Sequence, residues 1–170
     1  MRKWCRSFAV SLALSSACAT AAPHSFFTNI GMGKEGDWIG GLGMGLTLNP
    51  TSFLFTPQLE YVYRPNIYLG PMIQLAPEED GVLISFSCTV RTWLGKHPHV
   101  KPTVEGGLGF AVASSAGGSS SFGVNLSFGM GVDYLVQNNL TIGTMVRSNF
   151  APPVKTFYLS WPLLAVRYIL

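Results

Sequence analysis

Few side chains in this 170-residue chain could carry out catalysis, and those few are widely separated. Histidine occurs three times, and His97 and His99 belong to the short run Lys-His-Pro-His. Two histidines at this spacing could bind zinc, but a zinc site needs a further protein ligand, and none is evident nearby. We therefore predict a solvated turn here, and we expect no enzymatic activity, no cofactor and no bound metal.

Charged residues form a more informative group, because six of them share one parity in the alternating segments described below. They are Glu60, Arg91, Glu105, Asp133, Arg147 and Arg167. An isolated ion buried inside a protein costs several kcal/mol, so carboxylates and guanidiniums on one buried face must pair. We predict one layer of such ion pairs, with Arg147 above the other five residues.

The elements that must position these charges are β-strands. In the segment Phe122 to Leu135, large apolar residues alternate with Gly, Asn, Ser and Asp. Because successive side chains of a strand point to opposite faces, this segment has one apolar face and one small, polar face. Eight such strands are predicted, which are Trp38 to Leu48, Phe53 to Tyr63, Ile67 to Leu75, Val82 to Leu94, Pro102 to Ala113, Phe122 to Leu135, Leu140 to Asn149 and Phe157 to Leu170.

Composition indicates which face meets the surroundings. Charged residues make up 11% of the chain, whereas about a quarter is typical of soluble domains, and hydrophobic residues make up 48%. Too few charges are present to coat a water-facing exterior, so the bulky apolar face is predicted to meet lipid. In lipid, strands must close into a barrel to satisfy their backbone groups. We predict an all-β fold, an eight-stranded antiparallel up-and-down transmembrane β-barrel. A soluble lipocalin-like ligand carrier, with the apolar face inward, is the alternative.

The amino terminus indicates export. Residues 1–22 have a basic start, an apolar stretch and the run Ala-Thr-Ala before the expected cleavage site, as in a signal peptide. Cys18 could instead be lipidated. Residues 23–36 have no clear pattern, and residues 37–170 are predicted to form the barrel.

The chain has eleven Lys and Arg and eight Asp and Glu residues. Removing the leader with its three basic residues leaves a formally neutral protein, which argues against nucleic acid as a partner.

Aromatic residues on the apolar parity cluster at one end of the strands. Such rings favour the interface between membrane and water. We predict a lipid-facing girdle at the periplasmic end, and a second rim marked by Phe53, Phe122 and Tyr158. The girdle consists of Trp38, Tyr61, Tyr63, Tyr134 and Tyr168.

The opposite, outer end has the longer predicted connections: Ala76 to Gly81, the exposed and flexible Ser114 to Ser121, and Phe150 to Lys155. The acidic cluster Glu78, Glu79 and Asp80 could bind divalent cations or a host protein, or form a solvated loop tip.

Five apolar residues are predicted to face the outer half of the lumen, either as core packing or as a path for small hydrophobic molecules: Leu54, Met72, Leu83, Leu159 and Trp161.

The region from Trp38 to Leu170 resembles the small eight-stranded outer-membrane barrels, such as the OmpA transmembrane domain, OmpX and OmpW. The phrase GMGVDYLVQNNLTIG, in which a strand ends in Asp-Tyr and turns through Asn-Asn, carries the resemblance. The terminal Val166 to Leu170 resembles the signal read by the barrel-assembly machinery, although it ends in Leu rather than Phe. The resemblance implies outer-membrane lipids and this machinery as partners.

We therefore expect an integral protein of the cell outer membrane with a narrow lumen plugged by ion pairs. Its role would be structural, or the passage of small solutes or hydrophobic molecules. A surface-exposed barrel for adhesion or host interaction is the alternative.

A closed barrel has no free sheet edge at which detergent could begin to separate the strands. We therefore expect the purified protein to migrate differently on a detergent gel before and after boiling. Identical migration of boiled and unboiled samples would contradict the barrel.

Overall fold

The computed structural model describes residues 32–49, 51–79, 81–95, 97–115 and 117–170. The predicted signal peptide, with Cys18, lies outside the described residues, as do most of the segment 23–36 and Asp80. The strands are β1 (Trp38–Leu48), β2 (Ser52–Arg64), β3 (Ile67–Glu78), β4 (Gly81–Trp93), β5 (Val100–Ser115), β6 (Ser120–Gln137), β7 (Leu140–Ala151) and β8 (Lys155–Ile169).

These eight strands form one closed barrel in which each strand pairs antiparallel with its sequence neighbours, and β8 pairs with β1. The predicted fold class is thus confirmed. No helix in the described part of the chain is long and apolar enough to cross a membrane. We call the end where β1 begins the lower end and the opposite end the upper end.

The hairpins at the upper end are tighter than predicted. Strand pairing continues to Glu78 with Gly81, Ser114 with Ser120, and Ala151 with Lys155. The prediction of a flexible loop over Ser114 to Ser121 was therefore wrong in extent. Strand ends that carry Ser, Ala and Pro can pair through their backbones without apolar alternation, so the alternating pattern ended before the strands did.

The predicted orientation rested on longer connections at the upper end. Because a lower connection, residues 94–99, is longer than the upper ones, connection length no longer supports that orientation.

The bulky face of the sheet points outward. Phe128, Val132 and Tyr134 have exposed fractions of 56%, 43% and 50%, whereas Gly129 and Asp133 on the same strand are buried. Most buried side chains inside the barrel are polar or charged. This is the opposite of a soluble carrier, whose apolar residues line the interior, so the structure does not support that alternative.

Two layers of buried apolar side chains lie inside the barrel. The lower layer consists of Met32, Ile39, Val62, Tyr68 and Trp93, and the upper layer of Ala76, Leu83, Ala111, Ala151 and Tyr158. Every member of both layers is at most 2% exposed. The charged and amide side chains described below lie between the two layers.

Residues 32–36, which the sequence pattern left unassigned, lie at the lower mouth and bond to the barrel. The Met32 amide donates to the Tyr68 hydroxyl at 2.9 Å, and the Gly36 amide donates to the Val62 carbonyl at 3.0 Å. Gly33 has a φ of +80°, which side-chain-bearing residues rarely adopt, and it lets the chain turn back toward Asp37. This turn carries the fully buried Met32 into the barrel.

Strand β8 contains a bulge that reverses its parity. Between the pairs Met44 with Leu164 and Leu46 with Trp161, two residues of β8 oppose Gly45 alone. Below the bulge Arg167 points inward, but above it Tyr158 and Ser160 do so. Three predictions were therefore wrong: Trp161 is 40% exposed on the outside, Leu159 shares its outward parity, and Tyr158 is buried instead of marking the upper rim.

Polar contacts on the outer surface hold the bulge in place. The Thr144 hydroxyl donates to the Pro162 carbonyl at 3.1 Å and accepts from the Trp161 indole N–H at 3.0 Å. The register between β7 and β8 is interrupted at the same height, between Gly143 and Arg147. Thr144 therefore replaces part of the interrupted strand pairing with side-chain hydrogen bonds.

Thr144→Val should destabilise the barrel by about 1–3 kcal/mol, because a carbonyl and an indole N–H would lose their partners in an apolar environment. Urea unfolding from lipid vesicles measures this change. Thr92→Val, at another outward-facing position, is the matched control and should have little effect. Equal stability of the two variants would contradict the role of Thr144.

Candidate functional site

The six charged residues predicted to share a layer all point into the lumen, each from a different strand. Glu60 comes from β2, Arg91 from β4 and Glu105 from β5, while the other three are Asp133 of β6, Arg147 of β7 and Arg167 of β8. None of them is more than 4% exposed. We call these six residues the ion-pair layer.

Their charges alternate along one continuous chain of contacts. Arg147 Nε lies 2.6 Å from Glu105, whose other oxygen lies 2.6 Å from Arg91. Glu60 is 3.3 Å from both Arg91 and Arg167, and Arg167 is 2.8 Å from Asp133. Three positive and three negative groups therefore cancel. Arg147 was predicted above the other five residues, and its guanidinium joins them by pairing with Glu105.

The two ends of this chain differ in the quality of their contacts. Glu105 accepts hydrogen bonds from both Arg91 and Arg147, at 2.6–3.4 Å. Glu60 lies within ion-pair distance of two guanidiniums, yet neither of its oxygens accepts a hydrogen bond from the described residues. Charge-assisted hydrogen bonds are the stronger interaction, so Glu105 is the firmer connection in the layer.

Uncharged side chains orient the layer from below. Asp133 accepts hydrogen bonds from the Trp93 indole at 2.7 Å and from the Thr103 hydroxyl at 3.0 Å. The Arg167 guanidinium lies 5.4 Å from the Tyr68 ring centre and 5.5 Å from that of Trp93, which are cation–π distances. These aromatic rings belong to the lower apolar layer, so that layer also fixes the charges above it.

Lys101 is a lumen cation that the sequence analysis missed. It is 1% exposed, its ammonium donates to the His97 carbonyl at 2.6 Å, and it lies 5.9 Å from the centre of the Trp93 ring. The predicted strand began at Pro102, two residues after the observed start of β5 at Val100. Thr103 and Glu105 point inward, so the residue two positions before Thr103 is expected to point inward as well. This rule would have identified Lys101.

Glycines provide the space for the long charged side chains. A Cβ on Gly41 would lie 2.6 Å from Gln58 and 3.0 Å from Arg167, and one on Gly129 would lie 3.0 Å from Arg147. On Gly143 it would overlap the Asp133 carboxylate. Glycine usually weakens a strand, but here it allows close approach of neighbouring groups.

A layer of amides and hydroxyls lies above the ion pairs. Gln74 donates to Asn149 at 3.2 Å, and Asn149 donates to Ser160 at 3.0 Å. Asn125 donates to Ser85 at 2.7 Å and to Ser87 at 3.2 Å. These hydrogen bonds link side chains of different strands inside the barrel. Sequence parity predicted Gln74, Ser85, Ser87, Asn125 and Asn149 as inward but not Ser160, and it gave no indication of their pairing.

The two histidines of the lower turn have structural partners. His97 Nδ1 accepts from the backbone amides of Val100 at 3.0 Å and His99 at 3.3 Å. The His99 ring stacks on Tyr134, with 5.9 Å between ring centres. The described residues contain no group of three or more His, Cys, Asp and Glu side chains that could hold a metal ion. His97 thus stabilises the turn through backbone contacts.

The predicted girdle residues lie at the lower end. Trp38, Tyr63, Tyr134 and Tyr168 are 47–50% exposed on the outer surface, and Tyr61 is partly covered by the edge of Trp38, 5.4 Å away. At the upper end Phe53 and Phe122 are exposed.

In the acidic cluster Glu79 is exposed, but Glu78 is half-buried and pairs with Lys155 at 3.3 Å.

No family model matches this chain, and no curated protein sequence matches it. Solved structures are similar in fold. Neisserial surface protein A has 20% identity and a TM-score of 0.62, over 79% of this chain and 94% of that one. The amino-terminal β-barrel domain of Pseudomonas aeruginosa OprF has 15% identity and a TM-score of 0.63, over 81% and 99%. The outer-membrane enzyme PagL has 15% identity and a TM-score of 0.50, over 78% and 98%. The fold is that of the small outer-membrane β-barrels.

Glu105→Gln should destabilise the barrel by about 3–5 kcal/mol, because two buried guanidiniums would lose their shared counter-ion. Urea unfolding from lipid vesicles measures the loss. Glu78→Gln is the control, since that carboxylate pairs at the half-exposed rim and should cost at most about 1 kcal/mol. Similar losses in both variants would show that burial of the ion pair does not matter.

Proposed function

We propose that this protein is an integral outer-membrane barrel with a closed lumen, and that its role is structural rather than that of an open pore. The observation that carries the proposal is the ion-pair layer, whose six members are at most 4% exposed and charge-balanced. A conducting path would require bulk water among these groups. Their burial and pairing support a lumen filled with side chains.

The outer surface supports residence in a membrane. Large apolar side chains such as Leu108, Val124 and Leu126 are 49–59% exposed around the barrel, where water would be unfavourable. The half-exposed girdle rings at the lower end suit the boundary between hydrocarbon and water. We infer that outer-membrane lipids are the partners of this surface.

Closure at three heights supports the structural role. The two apolar layers lie below and above the ion pairs, and Met32 fills the lower mouth. Opening a path would require displacing apolar side chains at two levels and separating buried ion pairs between them. Breaking one buried pair costs about 3–5 kcal/mol, so spontaneous opening of the whole path would be rare.

The chain terminus supports assembly as a membrane barrel. The Leu170 amide donates to the Trp38 carbonyl at 2.8 Å, and β8 completes the ring by pairing with β1. We infer that Val166 to Leu170 is read by the barrel-assembly machinery. We assign no enzymatic activity, because the lumen carboxylates are held in ion pairs and His97 is bonded to the backbone of its turn.

Passage of small apolar molecules is a second candidate, favoured by the interrupted pairing of β8 with both neighbours near Pro162. The buried Leu54, Met72 and Leu83 line the lumen nearby. Trp161 and Leu159 do not, because the bulge turns them outward. An adhesion role has less support, since the short upper connections present little surface.

Protein reconstituted in a planar lipid bilayer should give no steady current steps, because the lumen is closed at three levels. A channel-forming porin treated identically is the positive control. Steady steps would overturn the closed lumen.

Binding of a fluorescent fatty acid that is lost in Leu54→Glu would instead favour the second candidate. Absence of binding to the unsubstituted protein would dismiss it.

A further inference from the structure

Charged residues outside the lumen are sorted by sign between the two ends of the barrel. From Lys34 onward, the lower strand ends and connections carry Lys34, Glu35, Asp37, Arg64 and Lys96. The upper strand ends and connections carry Glu78, Glu79, Asp80 and Lys155. Lys96 and Asp80 are assigned here from their positions in the sequence alone. Three basic and two acidic residues thus occupy the lower end, against one basic and three acidic residues at the upper end.

A bulge at the end of β2 positions one of the lower cations. Val62 pairs with Tyr68 and Arg64 pairs with Ile67, so two steps along β2 match one step along β3. A bulge of this kind redirects the side chains next to it. Tyr63 is 48% exposed, and the Arg64 guanidinium lies 5.7 Å from the centre of its ring. The bulge therefore places a cation beside an aromatic ring of the girdle.

Arg64 has no counter-ion in the described part of the chain. The guanidiniums of the ion-pair layer all contact carboxylates, whereas the exposed Arg64 forms no ion pair with a described residue. Residues 33–37 bond to the end of β2 and include two carboxylates. Asp37 accepts from the Lys34 amide at 2.6 Å, and Glu35 is exposed. Neither carboxylate neutralises Arg64 by direct contact.

The rings next to Arg64 carry hydrogen-bond donors. Trp38 of β1 pairs with Tyr61 of β2, and Tyr168 of the adjoining β8 is also exposed. With Tyr63 these rings form a band across three neighbouring strands. A tyrosine O–H and an indole N–H can both donate, and such rings favour the level of lipid headgroups.

The same outer face is apolar toward the middle of the barrel. Leu42 of β1 and Leu59 of β2 are 42% and 37% exposed there. A molecule that uses both parts of this face must have an anionic group at one end and hydrocarbon at the other. A phospholipid has this structure, whereas a free phosphate would use only the rim.

We propose that Arg64 and the aromatic band bind the phosphate of an anionic phospholipid headgroup. A guanidinium can bind two phosphate oxygens through parallel N–H groups, and the ring donors serve the remaining headgroup oxygens. The acyl chains lie along the apolar wall. A zwitterionic headgroup brings its own ammonium, which Arg64 repels, so an anionic headgroup is preferred. This inference rests on the membrane residence proposed above.

The test uses the folded protein in phosphatidylcholine nanodiscs that contain an increasing fraction of phosphatidylglycerol. Nuclear magnetic resonance follows the backbone amides of Arg64 and Asn66. We expect saturable shifts, with half-saturation at a fraction at least about fivefold lower than for phosphatidylethanolamine, the factor expected for one basic residue near an anionic lipid surface. Soluble glycerol 3-phosphate, the free-phosphate arm, should not produce saturable shifts.

Arg64→Gln should raise the half-saturating fraction of phosphatidylglycerol about fivefold. Lys155→Gln is the matched control, because it removes the same charge at the opposite end and should leave that fraction unchanged. Tyr63→Leu should also weaken binding, since it keeps an apolar side chain but removes the ring beside the guanidinium. Heat-modifiable migration shows that each variant is folded.

Equal responses to phosphatidylglycerol and phosphatidylethanolamine would overturn the proposal, as would equal losses in Arg64→Gln and Lys155→Gln. Saturation by glycerol 3-phosphate would overturn the lipid as the ligand. Protein that inserts into nanodiscs without this preference would refute the headgroup site alone, whereas failure to insert would refute the membrane residence.

Discussion

A charged group without access to water must have a counter-ion, and this requirement governs the interior of the barrel. Three guanidiniums and three carboxylates meet in one chain of contacts, each from a different strand. Sliding any one of these strands by a single residue would turn its charge outward into the apolar exterior. The ion pairs therefore specify the register of six strands at once, whatever they contribute to stability.

The same requirement explains the composition of the strands. Long charged side chains fit in a narrow barrel only where the facing positions are small, and Gly41, Gly129 and Gly143 occupy such positions. The alternation of bulky and small residues along the strands thus serves two purposes. Bulky residues cover the exterior, and glycines make room for ions inside. The lower apolar layer depends on the ion pairs as well, because Tyr68 and Trp93 contact Arg167 directly.

Strand number, pairing order and the direction of nearly every side chain could be predicted from the sequence, because period-two alternation is strong in each segment. Three features could not. The bulge in β8 brings the Trp161 backbone so close to Gly45 that a side chain would not fit there, which no local pattern shows. The pairing of Arg147 with Glu105 depends on the register of β5, β6 and β7. Residues 32–36 form no repeating pattern, and their position follows from contacts with Tyr68 and Val62. Lys101 was predictable, but only with the correct start of β5.

The position of Met32 depends on closure of the barrel. Its amide bonds to Tyr68 of β3 and its sulfur accepts from Thr141 of β7, at 3.5 Å. Those strands lie on different sides of the ring, so both contacts exist only after the circle of strands is complete. The two bonds of Met32 together can accordingly form only in the closed barrel, although Met32 precedes every strand in the chain. They distinguish the closed barrel from an open sheet.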